Sequence, residues 1–99
     1  MNPSISQIVP GEVILEGDFT FASVGQIAKT SNRLVLETPD TVIDLAAVSD
    51  IDTAGLALLI GWLGMAKREG ITLTFRNFPD SLWAIVCASN LDEWLPVVR

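Results

Sequence analysis

Histidine and tyrosine are absent from the 99 residues, and cysteine occurs once, as Cys87. Without histidine, the side chain most used for general acid–base catalysis and the commonest transition-metal ligand is missing. One thiol and no imidazole cannot build a zinc centre, and a lone cysteine closes no disulfide within the chain. Cys87 therefore reads as a small buried apolar residue in a helix, and a reducing compartment as its setting. Basic residues are scarce too. Six Lys and Arg stand against twelve Asp and Glu, a formal charge of -6. They form no cluster that could neutralise a run of phosphates or hold an anionic membrane surface, which argues against nucleic acid as a partner. The longest apolar run, Ala54 to Ala66, has 13 residues and stops at Lys67-Arg68. A membrane span takes roughly 20, so direct membrane insertion is not expected. Met1 to Gln7 carries neither the basic start nor the apolar stretch of a secretory signal, and the chain reads as soluble. There is no Gly-rich phosphate loop, no Gly-x-Ser-x-Gly elbow and no spaced carboxylate pair on one element. An enzyme is not expected, nor is any cofactor.

What is present is core material: 49% of the residues are hydrophobic, enough for a single domain spanning 1-99. Ile5 to Val9 and Glu12 to Glu16 are β-favouring runs on either side of Pro10-Gly11, which predicts a hairpin. Phe21, Val24, Ile27 and Ala28 recur at helical spacing within Phe21 to Leu34, with Ser23 as its candidate cap. Thr41-Val42-Ile43-Asp44-Leu45 has the β-branched, apolar composition of a central strand buried on both faces. From Thr53 to Gly70, Leu56, Leu59, Ile60, Leu63 and Ala66 form one apolar stripe. Asp52 or Thr53 is placed to cap this helix, Lys67 and Arg68 oppose its dipole at the far end, and Gly70 ends it. Ile71 to Phe75 alternates as a half-buried strand, and Pro79-Asp80 opens another helix carrying Leu82, Trp83, Ile85, Val86 and Ala88. A short piece around Trp94 and Leu95 closes the chain. The fold class is α/β: strands alternating with helices imply a mixed, largely parallel sheet of four or five strands with helices packed on it.

In such sheets partners meet the loops beyond the carboxyl ends of the strands, and Ala46 to Gly55 reads as that loop for the best strand. It holds Asp44 at its base, then Ser49, Asp50, Asp52, Thr53 and Gly55. The Thr53 hydroxyl at a positive helix end is read either as a cap or as a contact and phosphoacceptor position. The aspartates read as turn and cap residues, with no metal expected.

Val42-Ile43-Asp44-Leu45, Val48, and Ile51-Asp52-Thr53-Ala54-Gly55-Leu56 before an apolar helix resemble the signature of STAS domains, the fold of anti-anti-sigma factors. The element order resembles that fold over nearly the whole chain. The resemblance implies a partner-binding module without catalysis, with Thr53 at the position that a kinase partner phosphorylates in the sigma-regulating members. The stretch Val48 to Leu59, together with Ala66-Lys67-Arg68-Glu69-Gly70, is similar to the small STAS subunits of the Mla phospholipid-transport complexes of Gram-negative bacteria. That similarity implies a cytoplasmic accessory subunit, peripheral to the inner membrane, that binds the ATPase subunit of an ABC transporter through Thr53. The alternative it leaves open is an anti-anti-sigma factor whose partner is an anti-sigma factor kinase. Ala54 departs from the sigma regulators, which often carry a second serine there, and this favours a standing contact over a phosphorylation switch.

The expected partner-binding residues are Asp52, Thr53, Ala54, Gly55 and Leu56, with Ile60 and Trp62 secondary. Trp62 falls off the Leu56-Leu59-Leu63 stripe and is expected to point partly outward. Gly61 and Gly64 lie near it, each costing a helix about 1 kcal/mol relative to alanine. They imply that either the sheet or a partner's helix packs closely there.

Overall fold

The computed structural model describes residues 2–26 and 38–98. Its strands are β1 (Ser4–Val9), β2 (Glu12–Phe19), β3 (Asp40–Ile51), β4 (Thr72–Arg76) and β5 (Val97–Val98). The helices are α1 (Thr53–Glu69), between β3 and β4, and α2 (Asp80–Ala88), between β4 and β5. The five strands lie side by side in chain order. β1 and β2 form the expected hairpin and are antiparallel, while the three remaining pairs are parallel. The sheet is thus mixed and largely parallel, as expected. The crossovers β3–α1–β4 and β4–α2–β5 step the same way along the sheet. Crossovers of this kind are right-handed, which sets both helices on one face.

Between that face and the helices lies the core. Leu15, Ile43 and Phe75 from the strands meet Leu59, Trp62 and Leu82 from the helices, each at most 1% exposed. The opposite sheet face alternates with it and is polar. There the Arg76 guanidinium bridges Glu12 Oε1 at 3.4 Å and Asp44 Oδ2 at 3.1 Å. Burial pushes the Asp44 carboxyl upward, but hydrogen bonds from Asn77, the Ala46 N–H and Arg76 outweigh it and hold the group below its ordinary value.

β3 is buried on one face only: Thr41, Ile43 and Leu45 point into the core while Val42 and Asp44 are half-buried. It also runs further than its composition suggests. The span Ala46 to Ile51, expected to begin a loop, continues the strand and pairs with β2, Ala47 opposite Glu16 and Ile51 opposite Phe19. Ala46, Ala47, Ser49 and Asp50 are exposed, so burial places no demand for β-branched residues there. Backbone pairing, with Val48 and Ile51 packed half-buried against the core, makes that part a strand.

The helix expected from Phe21 begins as turns and a 3-10 turn at Val24–Gln26, and residues 27–34 lie outside the described residues. No cap hydrogen bond of the Ser23 side chain is found among the described residues. Its hydroxyl is buried in the turn after β2, accepting from the Thr20 N–H at 3.0 Å and donating to the Asp18 carbonyl at 2.7 Å. Cys87 is exposed, contrary to the expectation of a buried thiol. The helix to which it belongs buries only Leu82 and Val86. No helix among the described residues is long and apolar enough to cross a membrane.

Candidate partner-docking site

α1 is reached from β3 through one residue, Asp52, in extended conformation. Its carboxylate satisfies the first N–H groups of the helix, which have no partner within it. Oδ1 accepts from the Ala54 N–H at 2.8 Å and the Gly55 N–H at 3.3 Å. The other oxygen, Oδ2, accepts from the Phe21 N–H at 3.0 Å, so one side chain joins the start of α1 to the turn after β2. The Asp52 carboxyl is held below its ordinary value, chiefly by the Phe21 N–H and then by those of Ala54 and Gly55, against a smaller opposing effect of burial.

Gly55 belongs to the same joint. A Cβ there would lie 2.6 Å from Ile51 Cγ1 and nearer still to the Phe19 carbonyl oxygen, so the first turn of α1 sits on the ends of β2 and β3 at a distance only glycine allows. At the other end Gly70 closes the helix in left-handed conformation, φ 73°, with its N–H directed at the Ala66 and Lys67 carbonyls.

Of the two residues placed to cap, Asp52 does the capping. Thr53 is exposed in the first turn, and no hydrogen bond of its side chain is found among the described residues. Its hydroxyl is therefore uncommitted by the fold, while the backbone that carries it is fixed on both sides. Ala54 is half-buried, and Gly55 and Leu56 are buried, so they shape the joint from beneath. Ile60 is 38% exposed, on the same outward line of the helix as Thr53 and Ala57.

Trp62 is not on that line. At 1% exposure it is among the largest buried side chains, and the expectation that it points outward is corrected. The buried arc centres on Leu59 and Ala66, and Trp62 stands three residues after the first and four before the second. The outward residue of the expected stripe is instead Ile60. Trp62 thus offers no surface to a partner in the free chain, and its indole N–H is buried without a hydrogen-bond partner among the described residues. The nearby glycines also resolve. Among the described residues, a Cβ on Gly61 would meet nothing within 4 Å, and one on Gly64 would meet only the end of Arg68 at 3.9 Å, so the sheet is not what packs there.

Sequence reasoning missed Phe21. Its helical spacing assigned it to a buried face, yet it is 88% exposed beside the Asp52 cap.

The family described as Mlab, STAS domain matches residues 7–99. The chain belongs to the STAS family. This STAS domain is 39% identical over 51 residues to the intermembrane phospholipid transport system binding protein MlaB of Escherichia coli strain K12. The protein of the same description from Shigella flexneri matches equally. The aligned stretch spans 52% of this chain and 53% of each relative. Among solved structures, the anti-sigma factor antagonist SpoIIAA in its unphosphorylated form superposes with a TM-score of 0.70 at 11% identity, covering 98% of this chain and 87% of that one. SpoIIAA of Bacillus in its phosphorylated form gives 0.67 at 16% identity, covering 98% and 91%. At such identities these two establish the fold of the STAS domain and no more.

Proposed function

We propose that the chain is a non-catalytic accessory subunit that binds the ATPase of an inner-membrane ABC transporter, on its cytoplasmic side. By supporting assembly and activity of that transporter, it serves the phospholipid trafficking that maintains outer-membrane lipid asymmetry. The observation that carries the reading is Thr53, an exposed hydroxyl with no role in the fold, on a helix start immobilised by the Asp52 cap and the Gly55 close approach. Rigid, exposed groups suit a standing interface because little freedom is lost when they are covered. The family match and the partial identity to MlaB proteins support the choice of a transporter ATPase as the covering partner. Asp52, Ala54, Gly55 and Leu56 then act by shaping the joint, and Thr53 and Ile60 by contact.

The exposed Thr53 hydroxyl also favours a second reading. A kinase could reach it, and the chain would then be an anti-anti-sigma factor that exchanges partners on phosphorylation. Affinity isolation of the chain from its own cells separates the two. Recovery of an ABC ATPase is expected; recovery of a kinase-like anti-sigma factor without an ATPase would overturn the first reading in favour of the second.

A further inference from the structure

We infer that Phe21 is the aromatic anchor of this docking site, inserting into an apolar, basic-rimmed pocket on the partner ATPase. The inference rests on the proposed docking reading and adds to it a residue on a different element.

Phe21 is 88% exposed, more than any other large apolar side chain among the described residues. Trp94, the next at 66%, at least lies beneath Lys67 Nζ at 4.6 Å. No ring contact of Phe21 is found among the described residues. Such exposure would be unremarked on a loose loop, but this turn is held at several points. Its own N–H donates to Asp52 Oδ2 at 3.0 Å. The Thr20 carbonyl accepts from the Ser23 and Val24 N–H groups, both at 2.9 Å, and the buried Ser23 hydroxyl ties Thr20 to Asp18. The Phe19 carbonyl accepts from the Asp52 N–H at 3.4 Å. The backbone of Phe21 and that of the first turn of α1, which carries Thr53, are thus tied to one carboxylate, so the two elements are presented to a partner as one unit. An exposed aromatic on a fixed backbone, with only two rotatable side-chain bonds, loses little freedom when covered, and aromatic side chains including Phe are enriched at interface cores.

Charge specifies the occupant. The end of β3 places Asp50 beside this turn, with Asp52 two residues further on, in a chain of formal charge -6. A pocket that takes the ring must therefore be apolar at its floor and basic at its rim, because like charges facing this patch would oppose association.

The test is calorimetric titration of the full chain with the purified ABC ATPase of the same organism's phospholipid-transport complex. Phe21→Ala is expected to weaken binding by about thirtyfold, the loss typical of truncating an anchor, with the urea unfolding midpoint unchanged. Phe21→Trp, which keeps an aromatic ring, should bind within about threefold of the unsubstituted chain. Binding that survives Phe21→Ala but is lost in Thr53→Glu overturns the anchor and leaves the docking reading standing. An unsubstituted chain that does not bind the ATPase overturns both.

Discussion

The two helices on the sheet start in different ways. α1 begins on a carboxylate that accepts three backbone N–H groups and on a glycine pressed against two strand ends. α2 begins at Pro79, with no side-chain cap hydrogen bond. Both cover the same core, so covering the core does not require the machinery at Asp52. What that machinery adds, besides stability, is a fixed position for the first turn of α1 and for Phe21, which a partner can read.

Substitutions at the two starts sharpen the contrast. The largest effect is expected at Gly55: Gly55→Ala drives a methyl into the Phe19 carbonyl and the Ile51 side chain and should lower stability by about 2–3 kcal/mol. Ser81→Ala, at an exposed residue in the first turn of α2, should stay within about 0.5 kcal/mol. Urea denaturation of both measures the difference, and equal losses would erase the distinction. Asp52→Ala removes the cap and should lower stability by about 1–2 kcal/mol, whereas Pro79 at the start of α2 has no side-chain cap to remove. Within α1, Gly61→Ala is expected to act oppositely to Gly55→Ala. A Cβ there meets no neighbour among the described residues, and the substitution should raise stability by about 1 kcal/mol in thermal unfolding.

The smallest effect is a pH dependence. The Asp52 carboxyl is depressed in the folded chain, so its contribution is fully present above the ordinary value of 3.8 and is lost as pH falls below it. Unfolding followed from neutral to acid pH should therefore lose less stability in Asp52→Asn than in the unsubstituted chain. Asp44, depressed on the polar sheet face, keeps some acid sensitivity in both.

Much of this was legible beforehand, and for physical reasons. α1, the hairpin and β4 show clear periodicity because one face of each is buried and the other wet. The Asp52–Gly55 joint was visible because capping and close approach admit few residue types. The rest was hidden where burial stops selecting composition. The outer half of β3 is largely exposed, with only Val48 and Ile51 packed half-buried against the core, and β5, two residues long, is too short to show alternation. Trp62 and Ile60 were exchanged because a stripe of apolar residues on a largely apolar helix does not say which edge turns inward. Phe21 mimicked a helical core position by spacing, and only the turn pinned to Asp52 shows it facing solvent.

The central claim is that the start of α1 docks on a transporter ATPase, and Thr53→Glu tests it most directly. Measured by calorimetric titration against that ATPase, the substitution should weaken binding by at least about tenfold, since it adds a bulky charge at a packed contact. Because Thr53 makes no contact that the fold uses, the unfolding midpoint should hold. Undiminished affinity in a folded Thr53→Glu chain would contradict the account.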